Sequence, residues 1–300
     1  MSVLAVDIGG TKLAVAIVDR DGHLVRSATA PTPPDPWPAL QGLLEEVVGD
    51  EPLSGVGIGC GGPFSWPDGR VSPLNIPGWR DFPLRAQLAQ RYPGVPVRLH
   101  NDAVCMAVGE HFRGAARGID DALGMVVSTG IGGGLILGGR LLDGPSGNAG
   151  HVGHLVAEPA GPACACGGRG CLEAVASGPS TVAWARARGC EAEDGRALAA
   201  RAAEGDPIAD AALARAGAAV GRAAASTAAL LDLRLVVVGG GLAQSGPPFW
   251  DPLTAAFTAQ AQLAYLSGAR VLPAELGPSA GLVGAAALVL AGERYWSPAA

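Results

Sequence analysis

The sequence predicts an α/β protein of two domains with a cleft between them. Three observations predict it. Residues 2–6 form an apolar run that enters Asp7-Ile-Gly-Gly-Thr-Lys12, and residues 13–18 form a second, β-rich run behind that loop. The pattern restarts in the second half: residues 123–128 lead into Thr129-Gly-Ile-Gly-Gly-Gly134, and residues 135–137 return. Elsewhere helical spacings alternate with short buried strands, the arrangement of sheets covered by helices. The two halves echo each other at the scale of a domain, not as a short-period repeat.

Each element has a local reason. Asp21-Gly22 is a hairpin turn signal, so residues 23–27 make a third strand. Residues 31–38 are a proline-rich connection, and residues 40–48 have helical spacing. Residues 55–59 read as a buried strand ending in Cys60-Gly-Gly-Pro63. Residues 64–83, rich in Pro, Gly and Trp, read as a loop too long to be a passive turn. A brief strand at 97–99 delivers His100-Asn101-Asp102. A helix follows over about 103–116, with Val104, Ala107, Val108 and Phe112 on one face and Gly118 beyond its end. Residues 208–231 read as an alanine-rich helix, 235–238 as a buried strand ending in Gly239-Gly-Gly241, and 280–291 as a final small-residue helix. The expected domains are 1–117, joined by the C-terminal helix at about 281–300, and 118–280, which carries a cysteine-rich segment at 150–173.

Composition excludes several classes. The 300 residues are 49% hydrophobic and 16% charged, enough apolar material for sizeable cores and too little polarity for disorder. The net charge is −6, Lys12 is the sole lysine and no basic stripe appears, which argues against a nucleic-acid partner. The N-terminal run is short and lacks a basic start, so no signal peptide is expected. No apolar run is long enough for a membrane span. Six cysteines, with Cys60, Cys105 and Cys190 scattered, do not form a disulfide framework, and a cytoplasmic location fits.

Cys164-Ala-Cys166-Gly-Gly-Arg-Gly-Cys171 follows closely on Asn148-Ala-Gly-His151-Val-Gly-His154. Three thiolates and one imidazole fill the four positions of tetrahedral zinc, so the expected metal is closed and structural. Gly167, Gly168 and Gly170 let the backbone wrap around an ion. Ordinary loop thiols are the plainer alternative; a disulfide is opposed by the compartment. A hydrolytic zinc using His151 and His154 is disfavoured because three thiolates leave no open position. The clamp matters for what it holds in place: His151, His154 and Glu173.

In the two glycine loops, backbone N–H groups without side chains in the way approach phosphate oxygens closely, and Thr and Lys add donors. Together with Gly239-Gly-Gly241 they point to a nucleotide rather than to a pair of glycine hairpins. Asp7 is expected to serve the accompanying divalent metal through water. The P-loop motif is absent, and Gly57-x-Gly59-x-x-Gly62 matches the dinucleotide fingerprint only by accident, since Pro63 and Pro67 stand where a helix must start. Asp102, at a strand–helix junction, is by default an N-cap. Beside a phosphate site it becomes the carboxylate that takes a proton from an attacking alcohol. Asn75, Asn101, Asp102, His151, His154 and Glu173 supply the polar ring a polyol such as a sugar requires.

Taken together, Asp7-Ile-Gly-Gly-Thr-Lys12, Asn75-Ile-Pro-Gly-Trp79, Asn101-Asp102-Ala103, Ser128-Thr-Gly-Ile-Gly-Gly-Gly134, Gly150-His-Val-Gly-His154 and Cys164-x-Cys166-Gly-x-x-Gly-Cys171-Leu-Glu173 resemble the ROK family of sugar kinases and related transcriptional repressors, within the actin/hexokinase-like superfamily. The resemblance implies two actin-like (ribonuclease H-like) α/β domains, with sugar deep in the cleft and ATP at its mouth. It implies Asp102 as catalytic base; Asn101, His154, Glu173 and position 151 as sugar contacts; and zinc on His154, Cys164, Cys166 and Cys171. Gly62 and Asn75 join the substrate-binding set. Asp7, Gly9, Gly10, Thr11, Lys12, Thr129, Gly130, Gly132 and Gly240 form the set for ATP and Mg2+. The donor is expected to be ATP, with polyphosphate left open, and a homodimer is implied. Family repressors carry a winged-helix region ahead of the phosphate loop. Six residues precede Asp7 here, so a kinase is expected over a non-catalytic sugar-sensing regulator. Family glucokinases usually have Glu where this chain has His151; His there is similar to bacterial N-acetylmannosamine kinases and leaves room for a bulkier C2 substituent. The expected reaction is phosphorylation of O6 of an N-acetylhexosamine, with glucose as the alternative.

Overall fold

The structure is a computed structural model, and it describes residues 2–297. In chain order the elements are β1 (Ser2–Ile8), β2 (Lys12–Val18), β3 (Leu24–Pro31), α1 (Pro36–Val48), β4 (Leu53–Cys60), β5 (Phe64–Ser65), β6 (Arg70–Val71), α2 (Leu84–Arg91), β7 (Val97–Asn101) and α3 (Asp102–Arg113). There follow β8 (Ala122–Val127), β9 (Ile131–Leu137), β10 (Arg140–Leu141), α4 (Leu172–Ala176), α5 (Gly178–Arg186), α6 (Gly195–Ala203), α7 (Pro207–Leu231), β11 (Leu235–Gly239), α8 (Pro247–Gln260), β12 (Arg270–Pro273) and α9 (Ala280–Leu290). The fold class is α/β, as the alternation of strand and helix patterns requires. Among the described residues no helix is long and apolar enough to cross a membrane.

The first sheet runs β3-β2-β1-β4-β7, with β1, β4 and β7 parallel and β2 and β3 antiparallel to their neighbours. The second runs β10-β9-β8-β11-β12, with β8, β11 and β12 parallel. The same order is built twice, which is the physical content of the repeated strand–glycine–strand pattern. The chain separates into two compact units, Met1–Asp120 with Gly134–Ala149 and Pro278–Ala300, and Asp121–Gly133 with Gly150–Gly277.

In the first unit both faces of the sheet are covered, so its strands read as continuous apolar runs. Leu4, Val6 and Ile8 point one way and pack with Leu40, Leu44 and Val47 of α1 and Leu84 and Leu88 of α2. Val3 and Ala5 point the other way, into a cluster with Val104, Cys105 and Val108 of α3 and the alanine-rich face of α9. Glycine makes that second face possible. A Cβ on Gly57 would collide with the carbonyl of Ala285, and one on Gly284 with the carbonyl of Cys105. Gly57 and Gly59 are therefore strand residues chosen for close packing, and the fingerprint-like spacing around them carries no dinucleotide site.

Several elements depart from the pattern read in the sequence. Ile136 and Leu141 bury in the cluster that holds α3 and α9, which draws Gly134–Ala149 into the first unit although the sequence reading groups it with the second half. The second glycine loop is shorter than its composition suggests, because β9 begins at Ile131 and Gly132, Gly133 and Gly134 lie in the strand. A Cβ on Gly133 would meet the Gly124 carbonyl at 2.6 Å, and one on Gly134 would meet Ala107 at 2.9 Å, so packing demands these glycines. The stretch 64–83, read as loop, contains the small β5–β6 ribbon. In the second unit α8 is hidden in the sequence by Pro247, Pro248 and Pro252. It forms because Phe249, Leu253 and Phe257 share one buried face and its backbone lies against Gly217 and Gly221 of α7.

Candidate active site

The parallel register of the first sheet decides where polar groups gather. Asp7 pairs with Gly59, Gly59 with His100 and Cys60 with Asn101, so the carboxyl ends of β1, β4 and β7 are level. Ligand sites of α/β sheets lie at such ends. Gly9–Thr11 leave β1 as a tight turn closed by Gly9 N–H donating to the Lys12 carbonyl at 3.0 Å. Thr32 Oγ1 holds the turn from the side by donating to the Gly9 carbonyl at 2.8 Å. A Cβ on Gly10 would lie 2.6 Å from that of Asn75, so the turn and Asn75 are in contact. At position 61 a Cβ would lie 3.9 Å from Asp102 Oδ2, and at Gly62 one would lie 3.5 Å from Asn101 Nδ2. The structure thus brings Asp7, Gly10, Gly62, Asn75, Asn101 and Asp102 to one edge. Thr11 and Lys12 are exposed beside them.

The helix that starts here is capped by Asn101, not by Asp102. Asn101 Oδ1 accepts from Ala103 N–H at 3.0 Å, and Asp102 is the first helical residue. The carboxylate therefore sits on the first turn of α3, where a helix favours negative charge. Asp7 lies across from it. Burial, and then the charge of Asp102, push the Asp7 carboxyl up to about 7, against the opposing pull of Lys12. Two carboxylates brought together beside a glycine turn are a place for a divalent cation and the phosphates it carries.

His100 carries a role the sequence reading missed. It is buried, its Nδ1 accepts from Asn101 N–H at 2.8 Å, and its Nε2 therefore carries the proton donated to Asp143 Oδ1 at 3.0 Å. Phe64 and Trp66 pack on its ring. The strand end that presents Asn101 and Asp102 is pinned by this imidazole. Its position next to Asn101 was the available signal, but its partner, Asp143, is distant in sequence.

In the second unit, β8 and β11 run parallel and end together, with Gly239 paired to Val126. Gly240 has φ of +97° and lies against the backbone of Val127, and Gly241 lies beside Ser128. Gly240 thus borders the turn at Thr129 and Gly130, while Gly132 lies within β9. Glu173 reaches the same turn: its Oε2 accepts from Ile131 N–H at 2.8 Å. His151 and His154 are exposed, with parallel rings 6.4 Å apart.

His154, Cys164, Cys166 and Cys171 converge, with one donor atom from each lying within 4.8 Å of all the others. Cys166 and Cys171 Sγ are 3.7 Å apart, and Cys164 Sγ lies 3.9 Å from His154 Nδ1. A tetrahedral ion with bonds of about 2.3 Å to sulfur sets such separations at about 3.8 Å. The donor set fits zinc and supplies all four ligands. Burial, together with the neighbouring thiols, pushes Cys171 up to about 12, a penalty that a cation at the centre would remove.

The ROK family model matches residues 3–291. The chain belongs to the ROK family. Among curated members, the glucokinase of Thermotoga maritima is 33% identical, with 96% of this chain and 97% of that protein covered. The N-acetylmannosamine kinase of Shigella flexneri is 37% identical, with 98% and 100% covered. Among solved structures, a ROK family glucokinase from Streptomyces griseus in complex with glucose and AMPPNP superposes with a TM-score of 0.85 at 33% identity, covering 97% of this chain and all of that one. The α/β architecture described above is that of ROK sugar kinases.

The Asp7 environment gives a pH-dependent stability with a defined sign. The folded state holds the Asp7 proton up to about 7 whereas the unfolded chain releases it near 3.8, so the folded form binds more protons between these values. This contribution is complete below the lower value and is lost as pH rises through the upper one. Asp7→Asn, which never ionises, is therefore expected to gain in Tm over the wild type as pH is raised across that window without Mg2+. A Tm difference that does not change with pH counts against the buried carboxyl.

Proposed function

We propose that this ROK member is an ATP-dependent sugar kinase that phosphorylates the 6-hydroxyl of a hexose. One observation carries the reading: Asn101 and Asp102 stand at a strand end level with Asp7 and its phosphate-type turn. Gly9 closes the first turn, the N–H groups of Gly10 and Thr11 with Lys12 serve phosphate oxygens, and those of Thr129 and Gly130, bordered by Gly240, are likewise assigned to the nucleotide. Asp7 would serve Mg2+ through water, and the ion would favour its ionised form. Asp102 orients the sugar hydroxyl and accepts its proton during attack on the γ-phosphorus, while Asn101, Asn75, His151, His154 and Glu173 bind the remaining hydroxyls and Gly62 allows the ring to approach. His154, whose Nδ1 faces Cys164 Sγ, would hold zinc with Cys164, Cys166 and Cys171 and could contact the sugar with its other ring nitrogen. Bound there, zinc would order the Cys164–Cys171 loop, and its four protein ligands would leave no position for the transfer. A homodimer belongs to the same reading.

The favoured substrate is an N-acetylhexosamine, N-acetylmannosamine or N-acetylglucosamine. His151 supports it, as does the 37% identity to N-acetylmannosamine kinase over nearly the whole chain. Glucose is the second reading, favoured by the 33% identity to a glucokinase and by the likeness to a glucose complex.

Three measurements test this. Asp102→Asn is expected to retain sugar binding while kcat falls by about 10²–10⁴; an unchanged kcat removes the base. In steady-state assays kcat/KM for one of the two N-acetyl sugars should exceed that for glucose, and glucose ahead by about tenfold overturns the substrate assignment. Elemental analysis should give one zinc per chain, and chelation should cause slow loss of fold rather than instant, reversible loss of turnover.

A further inference from the structure

Glu173 is assigned above only to the sugar, yet its best-defined contact is with the turn assigned to the nucleotide. Its Oε2 accepts from Ile131 N–H at 2.8 Å, and a Cβ placed on Gly130 would lie 2.8 Å from that same oxygen. A side chain at position 130 would therefore push the carboxylate from this place. Gly178 N–H donates to the Ser128 carbonyl at 2.7 Å from the start of α5. Both ends of the turn are thus tied to the α4–α5 segment, one by a side chain and one by backbone. The backbone of Glu173 is itself fixed: its carbonyl accepts from Ser177 N–H at 3.1 Å and from Ser180 Oγ at 3.0 Å. The residue two before it is Cys171, the N-cap of α4 and one of the four clustered metal donors.

We infer that Glu173 positions the Ser128–Ile131 turn for the nucleotide as well as contacting the sugar, so that one carboxylate links the two substrate sites. The sugar contact rests on the function proposed above; the tie to the turn rests on the geometry alone. The Ile131 amide is spent on the carboxylate and is not offered to phosphate. Its capture holds the turn in one conformation, with the amides of Thr129 and Gly130 left for the nucleotide. A charge-assisted hydrogen bond of this kind is among the stronger local restraints. A side chain at position 130 would displace the carboxylate, so a change in the nucleotide turn should be felt by the sugar.

Titration calorimetry with each ligand in the absence of the other tests the link, using Mg·AMPPNP as nucleotide and the best sugar from the substrate panel, with far-UV circular dichroism and Tm confirming the fold of each variant. Glu173→Ala is expected to weaken Mg·AMPPNP binding by about tenfold with no sugar present, and Glu173→Gln, which keeps an acceptor oxygen, by no more than about twofold. Gly130→Ala should weaken sugar binding by about tenfold with no nucleotide present. Should Glu173→Ala not fold, Glu173→Asp, one methylene too short to reach Ile131 N–H, takes its place with the same expectation. Wild-type nucleotide affinity in Glu173→Ala or Glu173→Asp, or wild-type sugar affinity in Gly130→Ala, overturns the inference. If the wild-type protein binds none of the sugars, the sugar-kinase reading and the link fall together, and the nucleotide titrations still decide whether Glu173 holds the turn.

Discussion

The level ending of three parallel strands is the constraint from which the first unit takes its chemistry. Hydrogen bonding between β1, β4 and β7 fixes Asp7, Gly59 and His100 in register, with Ile8, Cys60 and Asn101 one residue on, and each strand must then leave the sheet at the same edge. Groups that leave a sheet together are forced into proximity without any side chain having to reach far. A glycine turn, a carboxyl on the first strand and an Asn-Asp pair on the third are consequences of that register. The cost appears in Asp7, whose proton is retained up to about 7 because burial and Asp102 oppose its charge.

The same packing decides which reactive groups stay silent. Cys60 and Cys105 lie close to both carboxylates, but burial first, and then the charges of Asp102 and Asp7, hold their thiols well above the ordinary range. They behave as small apolar side chains filling the space under the site, not as nucleophiles. His100 is likewise committed. One nitrogen takes the Asn101 amide and the other reaches Asp143, so the imidazole braces the strand end that carries Asp102.

In the second unit the bracing comes from a cluster of soft donors. Cys171 closes the tetrad and also starts α4, and Glu173 follows on the first turn with its carboxylate on the neighbouring glycine turn. A metal held at the cysteines would be connected to Ile131 through two residues of chain and one hydrogen bond. A short helix of five residues has little stability of its own. It is held by what it connects.

The sequence by itself determined the α/β class, the doubled strand–glycine–strand plan and the cysteine cluster, because each is written in local composition: alternating apolar periods, bare turns, and soft ligands at short spacing. It also carried the family motifs and, through them, most of the candidate site. Only the tertiary structure decided what the glycines are for. Gly9 and Gly10 shape a turn, whereas Gly57, Gly134 and Gly284 admit a neighbouring backbone or side chain at contact distance, and that neighbour is remote in the chain. The helix hidden under three prolines and the pairing of His100 with Asp143 were unreadable for the same reason. Each is stabilised by a partner tens of residues away, and local pattern holds no record of which distant group will stand opposite.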